Sequence, residues 1–253
     1  MAYKKIEAAA PLTPNKPASA DPGPQTPAED LLSQQIAVRL RTMIAADELK
    51  AGERLRERAL AELLQVSRTP LREALKILRG DGLVTLLPNR GAVVTALTAE
   101  EVQEKLDVLG LIEGFAGVQA CRRATETDLA EIRALHHEML AAFERQDRAN
   151  YFRLNQAIHS AIVAAAGNNT LRDVHAAINR QLLRYRYQGS LNTDTWRTAI
   201  EEHDTIVRLL AERKAEELGA FLHHHVRSTW EKIDWAQFVP SPASDRKQPP
   251  EKT

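Results

Sequence analysis

The chain has 253 residues, with 34 Lys and Arg balancing 34 Asp and Glu, 43% hydrophobic and 5% aromatic residues, and one cysteine, Cys121. That length allows two domains, and abundant Ala and Leu with few aromatics favour helix over sheet. The lone cysteine excludes an internal disulfide framework and a multi-cysteine zinc site, and no apolar run approaches the roughly 18 residues of a membrane span.

Residues 1–28 hold six of the twelve prolines among small and polar residues. Such a stretch buries too little apolar surface to offset its ordering entropy, so it is expected to be a disordered tail. It also lacks the apolar core of a secretory signal. The ending, 238–253, reads the same way. Between Asn89 and Val239 there is no proline, and a breaker-free stretch of that length points to an all-helical domain.

The first helix is expected from Asp30 to about Ala46, capped by Asp30, with Leu32, Ile36, Leu40 and Ile44 as its buried stripe. Lys50-Ala51-Gly52 reads as a turn. A short helix follows from Glu57 to about Gln65, burying Leu60, Leu63 and Leu64. In Val66-Ser67-Arg68-Thr69-Pro70, Ser67 or Thr69 can cap and Pro70 falls in a first helical turn, where its missing N–H is not needed. That helix runs to about Arg79, burying Leu71, Ala74, Leu75 and Leu78. Its opposite face carries Arg68, Arg72, Lys76 and Arg79. After Gly80-Asp81-Gly82, the β-prone runs Leu83–Leu87 and Ala92–Thr95 flank a hairpin tip at Pro88-Asn89-Arg90-Gly91. Two helices joined by a short turn, followed by a hairpin, make a winged helix-turn-helix.

The stretch Arg54–Gly91 has eight basic against four acidic residues, so the remainder of this neutral chain carries a net negative charge. A locally basic helix-turn-helix fits double-stranded DNA. Arg68 and Arg72 are one turn apart on a helix that suits the major groove, and arginine can hold guanine O6 and N7 together. Arg58 opens the preceding helix, where a cation and a helix N-terminus can both meet phosphate; Ser67 and Thr69 add hydroxyls. Asn89, Arg90 and Gly91 at the wing tip suit the minor groove. One solvated arginine face is the plainer alternative for any single Arg.

The segment ERLRERALAELLQVSRTPLREALKILRGDGLVTLLPNRGAVV resembles the DNA-binding domain of the GntR superfamily of bacterial transcription regulators, through VSRTPLREAL and the GLV…RG wing in combination. The resemblance implies operator binding as a homodimer, recognition arginines at Arg58, Arg68 and Arg72, and a wing contact at Arg90-Gly91. It also implies a cytoplasmic, nucleoid-associated protein.

Six helices are then expected near 99–123, 126–146, 148–166, 170–188, 194–212 and 214–235, with Thr98, Thr125 with Asp128, and Thr170 as start signals and Gly167-Asn168-Asn169 as a break. All eight histidines lie after Leu135. His159 shares a face with Asn155, four residues earlier, among Leu154, Ile158 and Ile162. His203 sits on the stripe Ile200, Ile206, Val207 and Leu210. In His223-His224-His225, His225 best continues the stripe Leu218, Phe221, Leu222 and Val226. Three inward histidines and an amide oxygen can converge in a bundle core, where neutral imidazoles suit Zn, Ni, Cu or Fe. Hydrogen-bonded core histidines are the alternative. No separate acid or base residue is spaced to stand beside this set, since Glu202 lies about 100° around the helix from His203.

Residues about 99–230 resemble the FCD ligand-binding domain of FadR-type GntR regulators, an all-α bundle of six or seven helices. Its D-x-x-x-H, Glu-His and closing His pattern matches Asn155-x-x-x-His159, Glu202-His203 and His225, the last 22 positions after His203. The resemblance implies a divalent metal (Zn, Ni, Mn or Fe) on Asn155, His159, His203 and His225, a small organic-acid effector and no organic cofactor. Two departures stand out. Asn155 replaces an acidic ligand, and Leu109 occupies the place of an Arg found in many relatives one turn before the residue matching Glu113. Glu113, Arg184 and Arg186 are the effector-contact candidates, with surface placement the alternative for either arginine.

The expected organisation is therefore mainly α: a winged helix-turn-helix at 29–96, an all-helical effector-binding and dimerisation domain at 97–237, and tails at 1–28 and 238–253. The leading function is a ligand-responsive transcriptional regulator without enzymatic activity. A metal-dependent enzyme on the bundle, or a DNA binder with an effector-insensitive bundle, are the competing readings.

Overall fold

Apolar residues at helical spacing build most of the first unit of the fold. The computed structural model describes residues 27–88, 91–189 and 193–231. These fall into two units, one drawn from Met1–Thr95 with Asn179–Tyr187, the other from Ala96–Ile178 with the residues from Gln188 onward.

The first unit contains α1 (Pro27–Ala45), β1 (Arg54–Leu55), α2 (Glu57–Leu64), α3 (Arg68–Gly80), β2 (Val84–Leu87) and β3 (Gly91–Val94). Ile36, Leu40 and Ile44 of α1 are buried as the spacing requires, against Leu60, Leu71, Leu75 and Leu78 of α2 and α3. The helix begins at Pro27, so residues 27–28 are helical rather than tail, and Asp30 lies inside it, exposed, rather than at its cap. A proline suits this place because the first turn needs no amide donor. Residues 1–26 lie outside the described residues, as do 232–253.

Gln65, in a left-handed conformation at φ 56°, ends α2. Ser67 occupies the cap position of α3, although its side chain makes no capping bond, and Pro70 is buried in the first turn. The wing is a three-stranded antiparallel sheet of order β1-β3-β2 rather than a simple hairpin. Arg54 pairs with Val93 and Leu55 with Ala92. This pairing explains Gly91. Its φ is +85°, and a Cβ there would collide with the Leu55 carbonyl oxygen, so the glycine is needed for the approach of β1.

The second unit is built from α4 (Ala99–Arg123), α5 (Glu126–Glu144), α6 (Arg148–Ala165), α7 (Asn169–Gly189, of which Asn179–Tyr187 fall in the first unit), α8 (Thr193–Ala211) and α9 (Ala215–Glu231). Thr98 with Glu101 and Thr125 with Asp128 form capping boxes that start α4 and α5. At α7 the cap is Asn168, whose Oδ1 accepts from the Leu171 amide at 3.1 Å, while Thr170 lies within the helix. Arg213 donates to the carbonyls of Cys121 and Ala124 at 3.3 and 2.7 Å, satisfying the C-terminal end of α4. Burial pushes the Cys121 thiol up, with the Arg213 charge opposing.

The packing that matters most to the histidines is that of α4 on α9. Gly114 and Gly219 face each other so closely that a Cβ on Gly114 would lie 2.8 Å from the Gly219 carbonyl, and one on Gly219 would lie 2.6 Å from Val118 Cγ2. The two backbones can touch only because neither residue has a side chain. That contact sets the distance between α4, which carries Glu113, and α9, which carries His225.

Candidate metal centre and nucleic-acid interface

In the first unit, Ser67, Arg68, Thr69 and Arg72 are exposed on the outer face of α3, and Arg58 is exposed on α2. A shallow cleft between them is lined by Arg58, Glu62, Gln65, Ser67 and Arg68. Arg58 Nε donates to Glu62 at 2.9 Å and Arg72 Nε to Glu57 at 2.8 Å. Exposed ion pairs of this kind contribute about 0–1 kcal/mol, so they orient the guanidinium groups without tying them up. Arg68 makes no ion pair among the described residues. The face therefore offers two ion-paired arginines, Arg58 and Arg72, an exposed Arg68 and the hydroxyls of Ser67 and Thr69 beside a helix N-terminus. Asn89 and Arg90 lie outside the described residues.

In the second unit, His159 (α6), His203 (α8) and His225 (α9) are all buried, and one ring nitrogen from each lies within 4.8 Å of the others. Their ring centroids are 5.0–5.2 Å apart. Each Nδ1 has its own acceptor. His159 Nδ1 is 2.6 Å from Glu113 Oε2, His203 Nδ1 is 2.6 Å from the Ala199 carbonyl, and His225 Nδ1 is 2.8 Å from Glu202 Oε2. A carbonyl can only accept, so His203 carries its proton on Nδ1, and Nε2 turns a lone pair inward. Burial, then the neighbouring His225 and His159, hold the His203 pKa well below 6.5. The ring is therefore neutral at pH 7, as a metal ligand must be. His203 Nε2 and Asn155 Oδ1 are both buried with no hydrogen-bond partner among the described residues.

Three buried imidazoles stand within 4.8 Å of one another, His203 with its lone pair inward, and Asn155 lies four residues before His159 on α6. Such a donor set fits a cation. Acceptors behind metal-binding histidines are the usual means of fixing tautomer and ring orientation.

Comparison with known proteins agrees with both halves. Residues 32–94 match the family model for bacterial regulatory proteins of the gntR family, and residues 104–228 match the FCD domain. The chain is 30% identical over 191 residues to the Nta operon transcriptional regulator of Aminobacter aminovorans, covering 76% of this chain and 89% of that protein. The chain belongs to the GntR family. This regulator is also 23% identical over 207 residues to the gluconate operon transcriptional repressor of Bacillus subtilis, covering 79% of this chain and 84% of that one. Among solved structures, E. coli McbR/YncC matches with a TM-score of 0.71 at 24% identity, over 81% of this chain and 97% of the other. A GntR regulator from Rhodococcus sp. RHA1 matches at TM-score 0.66 and 23% identity, over 79% and 96%. These two structural likenesses establish the fold. The protein is a GntR-type DNA-binding transcriptional regulator with an FCD effector-binding domain, and its relatives are regulators rather than enzymes. None of its described helices is long and apolar enough to cross a membrane.

The surroundings of the remaining candidates are as follows. Glu113, expected at the effector, is 1% exposed, with Oε2 on His159 and Oε1 3.1 Å from His175 Nε2. Both carboxylate oxygens are thus engaged with imidazoles. Arg184 and Arg186 are buried, not superficial, and both fall in the first unit. Arg184 Nε and Nη2 reach Asp47 Oδ1 at 2.9 and 2.8 Å, and Arg186 Nη1 donates to Asn179 Oδ1 at 2.7 Å. Glu202 does stand beside the histidine set, because it faces across to His225 on α9 rather than toward His203 on its own helix. His223 is half-buried and His224 exposed. The sequence reading missed His175 as a member of the constellation. Its spacing from Leu171, Ile178 and Leu182 would have placed it on an inward stripe.

Proposed function

We propose that this regulator binds a two-fold-related operator as a homodimer and that a divalent metal in its helical unit responds to a small organic acid. The DNA reader comprises residues 29–96 and the effector-binding unit residues 97–237. On this reading Arg68 and Arg72 reach base edges from the major groove, while Arg58, Ser67 and Thr69 hold phosphate. The exposed apolar stripe Val108, Leu111 and Phe115 on α4, at helical spacing, favours a second copy as its cover.

The observation that carries the metal is the convergence of His159, His203 and His225, each with an acceptor on Nδ1. Asn155, whose buried Oδ1 lacks a partner among the described residues, is the fourth donor. A neutral set of three imidazoles and one amide suits Zn, Ni or Fe better than a hard ion. Asn155 supplies no negative charge, but Glu113 and Glu202 place two carboxylates directly behind His159 and His225. An ion held there would supply a Lewis-acidic centre able to bind a carboxylate oxygen. Glu113 orients His159, Glu202 orients His225 and the Ala199 carbonyl orients His203. A coupling of about 1–3 kcal/mol between this centre and the DNA-binding state is enough for regulation.

Native mass spectrometry of the protein purified from metal-supplemented growth tests the reading. The expected species is a dimer with one metal per chain, retaining a small acid. A metal-free monomer would refute it.

A further inference from the structure

One buried polar group on the same face of α6 as Asn155 and His159 belongs neither to the metal donor set nor to the acceptors behind it. Tyr151, Asn155 and His159 recur every four residues along α6, so they share one inward face. Tyr151 is 1% exposed, and its hydroxyl is buried without a hydrogen-bond partner among the described residues. A buried O–H left unpaired costs about 1–3 kcal/mol, whereas a phenylalanine would fill the same space at no such cost.

The phenol is also held in place. Its ring stacks on Trp196 at 4.8 Å and 21°, and the Arg148 guanidinium lies 5.1 Å from the centre of the same indole. Burial and the charge of Glu202 both raise the Tyr151 pKa. The group is therefore a protonated donor at any physiological pH. A rigid, neutral, unsatisfied donor thus sits on the ligand-bearing face, two turns before His159.

We propose that Tyr151 is a specificity-determining residue of the effector site, its hydroxyl donating a hydrogen bond to an oxygen of the bound acid. The proposal rests on the effector reading above but uses a residue outside the metal donor set. A site built to pair a hydrogen-bonding group rejects partners that cannot return the bond, so the hydroxyl selects oxygen-rich acids over alkyl analogues.

The test compares full-length wild type with Tyr151→Phe, each metal-free and Co²⁺-loaded. Acetate, succinate and citrate are titrated, read by the Co²⁺ d–d spectrum and by Tm. The expected result is Co²⁺ affinity within twofold of wild type, a metal-free Tm equal to or above wild type, and about tenfold weaker binding of the tightest acid. Equal binding of every acid by the two proteins overturns the proposal. So does a metal-free variant that melts several degrees lower, since the hydroxyl would then be satisfied internally. Should wild type take up no Co²⁺, the metal reading fails separately. The acids are then scored on the metal-free proteins, where Tyr151→Phe must still lose the acid-induced rise in Tm; an equal rise in both, or none in wild type, overturns the role of Tyr151.

Discussion

Replacing Glu113 by Gln keeps the shape of a fully buried side chain and removes its charge. A divalent ion about 2.1 Å beyond His159 Nε2 would lie about 6 Å from that carboxylate. At an effective dielectric of about 20, one negative charge facing a dication at that distance is worth about 5 kcal/mol. Most of this is offset, because the carboxylate is itself desolvated and the Gln carbonyl can still accept from His159 Nδ1. Losses measured for groups behind metal ligands run to about 10–100-fold, or about 1.4–2.7 kcal/mol. Glu113→Gln is therefore expected to weaken Zn²⁺ binding by about 10–100-fold, read by competition with a fluorescent chelator at pH 7.5. Glu104→Gln, an exposed change on the same helix, should have no effect. A Glu113→Gln protein that binds Zn²⁺ within twofold of wild type would refute the idea that the Glu113 charge supports the ion through His159.

Three further outcomes are expected. Arg68→Ala or Arg72→Ala should cost roughly 1–3 kcal/mol of specific operator affinity by fluorescence anisotropy, with a smaller loss on non-specific DNA; an unchanged footprint would mean α3 is turned otherwise. Gly219→Ala places a methyl group against Val118 and the Gly114 carbonyl. The gain in helix propensity of about 1 kcal/mol is outweighed by overpacking of about 1–3 kcal/mol, so urea unfolding should show a net loss of roughly 1 kcal/mol. For His136, burial lowers the folded pKa below 6.5 against the opposing charge of Asp204. The unfolded state then takes up the proton first, so this contribution is complete above about pH 6.5 and is lost as pH falls below it. His136→Gln should flatten the decline in metal-free stability between about pH 7 and 5; an unchanged slope would show that the ring does not titrate in this way.

Much of this architecture is set by local chemistry and is legible along the chain. Leu71, Ala74, Leu75 and Leu78 repeat with the period of a helix, Pro70 tolerates only its first turn, and Thr98 and Thr125 can satisfy the open amides of α4 and α5. Those constraints act within a few residues, so a single sequence displays them. They also bring His159, His203 and His225 inward, because each sits on an apolar stripe. What the stripes do not contain is which groups meet across helices. Glu113 joins His159 and His175 over separations of 46 and 62 residues, Glu202 reaches His225 over 23, and β1 finds β3 with only two residues to pair. No periodicity records such pairings. They depend on how closely two helices approach, and between α4 and α9 that distance is set by Gly114 and Gly219, where the absence of side chains lets one backbone rest on the other.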